Sequence, residues 1–318
     1  MDQKRIIDEF KELVSIEVHS RDERALADVL KEKLTALGLT VTEDKAGEVL
    51  GGNTGNLYAQ LPGSTGGEPV LFSAHMDRVG NHGHIVPLVK EEEGKIVSDG
   101  TSILAGDDIG GVAAILAMLR EVKEKQIPHG PIEVAFSVCE ETGVEGSRQY
   151  DFSKFRSKSA FVYDASGKAG TIVLAAPSKG RVTIHVHGVT AHAGNEPEKG
   201  LNALKVAADL IVQLPDGRLS PVSTANFSII EAGSATNVVC DLVTITGEQR
   251  SRDAKEYQQI SADIQAAADK ISEKYHTKIE VELHTLYHAF KLEETSRPCV
   301  LAKEAAEAVG AAPFFKEG

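Results

Sequence analysis

Apolar and polar positions follow two periods along this chain. Ile6, Ile7, Phe10, Leu13 and Val14 recur at helical spacing and predict a helix at the N-terminus. A second helix is predicted over residues 21–37, with Gly38 as its stop. Strands are predicted at 39–41 and at 56–61, the latter closed by the turn pair Pro62-Gly63. The runs 69–74 (PVLFSA), 132–138 (IEVAFSV) and 160–163 (AFVY) are short and apolar, as buried strands are. Between the first two, residues 108–122 (DIGGVAAILAMLREV) read as a helix with Asp108 near its start. Strands alternating with helices predict a mixed α/β sheet covered on both faces.

The texture changes near Pro177. Residues 181–187 (RVTIHVH) alternate polar and apolar, as a half-exposed strand does. A helix over 201–214, strands over 223–230 and 238–246, a helix over 254–275 and a strand over 278–286 follow. The order strand-helix-strand-strand-helix-strand is that of a ferredoxin-like α+β unit, complete in itself. From about 290 the pattern turns helical again, over 299–309. The expected organisation is one α/β domain from residues 1–176 and 290–318, with a second domain, 177–289, inserted into it. A length of 318 residues agrees with two domains, because it exceeds what one hydrophobic core usually serves.

Composition narrows the functional classes. The chain carries 34 basic and 47 acidic residues, a net charge of −13. That balance disfavours nucleic acid as a partner, since such binding relies on a basic footprint. No apolar stretch approaches the roughly 20 residues that span a bilayer, so no membrane partner is expected. The first residues, MDQKRIIDEFKELV, lack a signal-peptide core. Cys139, Cys240 and Cys299 are scattered and odd in number, which suggests neither a disulfide framework nor a cysteine metal site. A reducing cytoplasm is the expected compartment. The Gly-rich stretch 51–67 contains no Gly-Lys-Ser/Thr, so a phosphate loop is not expected.

The candidate chemistry is positional. VLFSA runs into His75, with Asp77 two residues on; VAFSVC runs into Glu140 and Glu141; FVY runs into Asp164. In open α/β sheets, ligands bind beyond the carboxyl ends of the strands. Asp107 sits just before the predicted helix at 108. Each motif alone is commonplace, because strand ends run into polar loops. Their joint occurrence, in order and each at a strand end, points to one centre. Asp77, Asp107, Glu140, Glu141 and Asp164 would together carry −5 if ionised. Converging carboxylates raise one another's pKa unless cations neutralise them. Two divalent ions would nearly cancel that charge, and imidazole with carboxylates suits zinc, with cobalt or manganese as alternatives. Strand alternation is expected to point Glu140 and Glu141 in different directions, one toward metal and one free as a general base. Asp77 is placed to orient the His75 imidazole. Other histidines read differently. His82 and His84 flank Gly83 in a polar loop and read as surface residues; His185 and His187 share one strand face and read as structural. His284 and His288 lie along a predicted strand and the linker it leads into, where a spacing of four does not place them together. Cys139 reads as a buried strand cysteine.

These residues resemble a known family, the two-metal aminopeptidases and amidohydrolases that include peptidase T, carboxypeptidase G and aminoacylase. The matching segments are Ser73-Ala-His75-Met-Asp77, Gly106-Asp107-Asp108-Ile-Gly-Gly111, Glu140-Glu141-Thr-Gly143 and Tyr163-Asp164-Ala-Ser-Gly167. Gly188-Val-Thr-Ala-His192-Ala-Gly194 and Gly200-Leu-Asn-Ala203 match in the inserted domain. The likeness spans essentially the whole chain and is greatest to peptidase T and its tripeptidase-like relatives. It implies a mixed-sheet zinc-peptidase catalytic domain with an inserted ferredoxin-like dimerisation domain. It implies two zinc ions per subunit, with His75 and Asp164 each binding one and Asp107 bridging both. Glu141 would complete the second site, Glu140 would be the general base and Asp77 would position His75. In dimeric members the inserted domain forms the dimer, so a homodimer is implied, with His192 steadying the oxyanion in the partner's site. Asn237 and Arg250 would hold the substrate, Arg250 by its fit to a peptide carboxylate.

The implied activity is hydrolysis of short peptides, as a tripeptide aminopeptidase does. N-acyl amino-acid deacylation, carboxypeptidase activity, and a catalytically silent dimeric peptide binder are the alternatives. Family members also continue with a Gly-Gly-Ser/Thr-Asp segment, a last strand and a late histidine that completes the second metal site. On that resemblance, these 318 residues are expected to be part of a longer protein, and alone to bind the second metal weakly and show little activity.

Overall fold

The computed structural model describes residues 2–80 and 83–318. The chain forms two compact units, Met1–Ala169 with Val300–Ala305, and Gly170–Cys299 with Ala306–Gly318.

The first unit begins with helix α1 (Gln3–Val14), whose N-terminus is capped by the Asp2 carboxylate. Its periodic residues Phe10, Leu13 and Val14 are buried. Helix α2 (Arg24–Ala36) buries Leu26, Ala27, Leu30 and Leu34, and Gly38 beyond it takes φ +98°, the left-handed turn-off a helix end favours. Strand β1 (Thr40–Glu43), the short helix α3 (Ala46–Leu50), β2 (Leu57–Leu61) and β3 (Val70–His75) follow. A hairpin that the sequence pattern did not predict, β4 (Pro87–Lys90) with β5 (Lys95–Ser98), precedes helix α4 (Gly106–Glu124). Strands β6 (Ile132–Ser137) and β7 (Ser159–Val162) complete a sheet ordered β1-β2-β6-β3-β7. β1, β2 and β6 pair antiparallel, whereas β6, β3 and β7 are parallel, so the sheet is mixed as expected. All of β6 is buried, which explains its unbroken apolar run. Its parallel register sets His75 opposite Ser137 and Ser73 opposite Val162. The carboxyl ends of these strands therefore lie side by side, and each leads into candidate ligands.

The second unit contains β8 (Thr171–Ala176), β9 (Ser178–His187), α5 (Ala203–Ile211), β10 (Gly217–Ser220), β11 (Ser223–Ala232), β12 (Leu242–Ser251), α6 (Ala254–Tyr275), β13 (Ile279–Tyr287), β14 (Phe290–Lys291) and β15 (Phe314–Glu317), with α7 (Arg297–Ala308) shared between the two units. The main sheet runs β10-β11-β12-β9-β13, antiparallel throughout. With β10 set aside, β9, β11, β12 and β13 have the ferredoxin-like order, and α5 and α6 bury Val206, Leu210, Ile260, Ile264 and Ile271 against Val182, Ile184, Val243 and Ile245. Residues beyond 289 also build strands: β14 and β15 flank β8 in a separate three-stranded sheet. No helix among the described residues is long and apolar enough to cross a membrane.

Candidate metal centre

His75 is the last residue of β3 and is buried. Its Nε2 lies 2.9 Å from Asp107 Oδ1 and 3.9 Å from Asp164 Oδ1. Its Nδ1 lies 2.9 Å from the Asp77 carbonyl oxygen and 3.3 Å from Asp77 Oδ1. The ring is thus fixed on one edge by Asp77 and faces carboxylates on the other. Asp107 sits at the start of α4, where Asp107 and Asp108 have non-helical dihedrals and are joined by a cis peptide. The Asp107 side chain is 71% exposed, while Asp108 is buried and accepts the His75 backbone N–H at 3.2 Å.

Glu140 and Glu141 do not sit on a strand. β6 ends at Ser137, and both glutamates occupy the turn that follows. The expected strand alternation therefore does not set their directions. Their backbone N–H groups instead donate to the two oxygens of Asp77, at 2.9 and 3.1 Å. Asp77 itself is fully buried and also receives the Ser20 hydroxyl at 2.6 Å.

The ligand atoms of His75, Asp107 and Glu141 fall within 4.8 Å of one another, as do those of His75, Glu140 and Asp164. The electrostatics of this cluster fit a cation. Burial pushes the Asp108 carboxyl up to about 8, against the pull of His75, with Asp164 and Asp107 adding to the rise. Burial and neighbouring carboxylates likewise raise Glu140, Glu141 and Asp164, against His75. Burial opposes protonation of His75, yet the Asp77, Asp108 and Asp164 carboxylates outweigh it and raise its pKa to about 10. Asp77 moves the other way: burial resists ionisation, but its bonds from His75, Ser20 and Glu140 hold it below the usual carboxylate range. The crowding is that of a site from which a divalent ion would remove the repulsion, and its nitrogen and oxygen donors suit zinc.

Gly111, one turn into α4, is what lets Asp108 and the end of β7 meet. A Cβ there would lie 2.4 Å from Asp108 Oδ1 and 2.7 Å from the Tyr163 carbonyl oxygen. Ser20 and Asp108 were not assigned roles from sequence. Ser20 lies 57 residues before Asp77, and only the tertiary fold brings it there; Asp108 is adjacent to a candidate ligand, a signal that was present but ambiguous.

The remaining expected residues belong to the second unit. His192 and Val238 form an isolated bridge, and the Ala193 N–H donates to the Asn237 carbonyl, so His192 and Asn237 are neighbours. His192 is exposed, and its Nδ1 accepts the N–H groups of Gly194 and Asn195 at 3.1 and 3.2 Å. In the neutral ring the proton is then on Nε2. Arg250 lies on β12 and meets Glu248 two residues away, through Nε at 2.7 Å and Nη2 at 3.2 Å. His185 faces Thr244 and His187 faces Glu280 across neighbouring strands. His84 is exposed, and His82 lies outside the described residues. Cys139 is buried in the turn after β6, and burial pushes its thiol up to about 12.

Residues 177–276 match the M20-type peptidase dimerisation domain, and residues 56–196 match peptidase family M28. An uncharacterized protein of Bacillus subtilis, YqjE, is 36% identical over 310 residues, 98% of this chain and 83% of its own length. The crystal structure of aminopeptidase PepT from Bacillus cereus is 37% identical with a TM-score of 0.88, covering 100% of this chain and 85% of that one. That of a tripeptidase from Staphylococcus aureus is 32% identical with a TM-score of 0.91 and the same coverage, 100% and 85%.

Proposed function

The chain belongs to the two-zinc peptidase family of peptidase T and carboxypeptidase G and is a metal-dependent peptide hydrolase, and we propose that it acts as an exopeptidase on short peptides in the manner of a tripeptide aminopeptidase. The observation that carries this reading is the convergence of His75, Asp107, Glu140, Glu141 and Asp164 at the carboxyl ends of parallel strands, with Asp77 tying His75 to the Glu140-Glu141 turn. The tripeptidase and aminopeptidase likenesses support the choice of substrate.

In this proposal His75, Asp107, Glu141 and Asp164 would hold the two zinc ions. Bound zinc supplies Lewis acidity toward a peptide carbonyl and lowers the pKa of water. Glu140 is the general base: its carboxylate takes a proton from the attacking water and passes it to the leaving amine. Asp77 fixes the His75 ring by its Nδ1 edge, so that Nε2 faces Asp107 and Asp164 and would be free to bind a metal there. His192 is suited to donate from Nε2 to the developing oxyanion, because its Nδ1 is occupied by backbone N–H groups. The family likeness gives it this role across a homodimer, and the match of residues 177–276 to a peptidase dimerisation domain supports such a dimer. Asn237 and Arg250 are proposed to hold the substrate. Arg250 is paired with Glu248, so a substrate carboxylate would have to share or replace that partner. A cytoplasmic location is part of the same reading, supported by the free state of Cys139, Cys240 and Cys299.

The test is a panel of tripeptides, dipeptides and N-acetyl amino acids offered to the zinc-loaded protein. Release of the N-terminal residue from tripeptides supports the proposal. Preferred cleavage of N-acetyl amino acids would make it a deacylase, and release of C-terminal residues would make it a carboxypeptidase.

A further inference from the structure

The turn that carries Glu140 and Glu141 leaves the ladder of β6, yet its backbone N–H groups, buried at 138 and 139 and partly buried at 140 and 141, need acceptors. They find them in side chains. The Val138 N–H donates to Asn56 Oδ1 at 2.9 Å, the Cys139 N–H to Glu23 Oε1 at 3.0 Å, and the Glu140 and Glu141 N–H groups to Asp77. Four consecutive amides are thus held by three side chains, and Asn56, Glu23 and Asp77 are each 0% exposed.

Each grip is itself fixed. Asn56 also donates through Nδ2 to Asp44 at 2.7 Å and to the Gly146 carbonyl at 2.9 Å, so its Oδ1 must face Val138. One side chain therefore clamps both ends of the segment from Val138 to Gly146. Gly146 permits this closure, because a Cβ there would lie 1.8 Å from the Val138 carbonyl oxygen. Glu23 follows a tight turn in which His19 and Asp22 pair, and it also accepts the Arg21 N–H at 3.0 Å. The same turn sends the Ser20 hydroxyl to Asp77. Between its two carboxylate grips, Cys139 takes φ +51°, a left-handed conformation that a non-glycine residue keeps only where its surroundings enforce it.

We infer that Glu23 and Asn56 are positioning residues for catalysis, holding the Glu140-Glu141 turn in register with Asp77 from beneath the metal centre. The inference rests on the proposed peptidase reading for its catalytic consequence, but the clamp itself is independent of it. Carboxylate acceptors make short, strong bonds to N–H donors. Supporting contacts of this kind set where a base and a ligand stand to within fractions of an ångström.

The test combines amide hydrogen exchange with kinetics. In the metal-free wild-type protein, the amides of residues 138–141 are expected to be protected although residues 140 and 141 lie in a turn. In E23A they are expected to exchange faster, and kcat of the zinc-loaded protein to fall about 100-fold. KM should stay within about threefold, because the loss lies in the chemical step. E23Q keeps an acceptor oxygen for the Cys139 N–H and is expected to recover about tenfold or more of that loss together with the protection. A merely structural role would lower the melting temperature of E23A and leave its kcat unchanged below that temperature, which would overturn the inference. So would wild-type amides at 138–141 that exchange like those of an exposed loop. If E23A does not fold, wild-type exchange and E23Q decide. If the wild type cleaves no peptide, the peptidase reading fails, and the exchange rates alone support or overturn the clamp.

Discussion

The backbone N–H of Glu140 donates to the carboxylate of Asp77 at 2.9 Å, so the residue that orients His75 also fixes the proposed base. Asp77→Asn replaces one acceptor oxygen by an NH₂ group that cannot receive an N–H, and it removes the charge beside His75. Zinc affinity is expected to fall about 10- to 100-fold. Calorimetric titration of the metal-free protein with zinc checks this, and an unchanged dissociation constant would remove Asp77 from the role.

Glu140 stands near His75 and Asp164 as well as beside Glu141. Glu140→Gln keeps the volume and removes the base. Turnover is expected to fall about 10²- to 10⁴-fold while zinc content per chain is unchanged. Elemental analysis separates the alternatives: loss of zinc along with turnover would make Glu140 a ligand, and retained turnover would move the base elsewhere.

Gly111→Ala places a methyl group against the Tyr163 backbone carbonyl and the buried Asp108 carboxylate, which is held by the His75 N–H. The expected cost is about 1–3 kcal/mol of stability. Urea denaturation of the metal-free proteins measures it, with no loss as the contradicting outcome.

Glu43 ties β1 to α2 by accepting from both terminal guanidinium nitrogens of Arg24, with Lys31 at 3.0 Å and the Gly55 N–H at 3.0 Å. The Arg24 bonds, opposed by burial and aided by Gly55 and Lys31, hold its carboxyl well below the usual range. Its stabilising effect is then complete above the unfolded value of about 4.3 and is lost as pH falls from there toward the folded value. Glu43→Gln is expected to cost about 1–2 kcal/mol at neutral pH, and the difference from wild type to shrink below about pH 4. Chemical denaturation at two pH values checks the sign: a gap that widens in acid would contradict it.

Much of the fold was legible because burial leaves a periodic trace. α6 spans Ala254–Tyr275, the range its pattern predicts, and the buried runs of β3 and β6 lie where their apolar residues put them. The hairpin β4–β5 left a weaker trace, since its strands are four residues each and half exposed, around three glutamates. Strands β8, β14 and β15 depend on pairing between distant segments, which no local pattern encodes. In the site, His75, Glu140 and Asp164 could be singled out because each follows an apolar run. The support beneath them could not. Ser20, Glu23 and Asn56 are ordinary polar residues until the fold brings them against Asp77 and the amides of 138 and 139. The directions of Glu140 and Glu141 follow from those contacts rather than from strand alternation.

The proposed chemistry of this centre is peptide hydrolysis by means of bound metal. The most direct measurement is the rate of tripeptide cleavage by chelator-stripped protein as zinc is added back. The expected result is no cleavage without metal and a rate that rises with zinc occupancy. Cleavage that is undiminished in the stripped protein, or full zinc binding with no cleavage of any peptide offered, would contradict it.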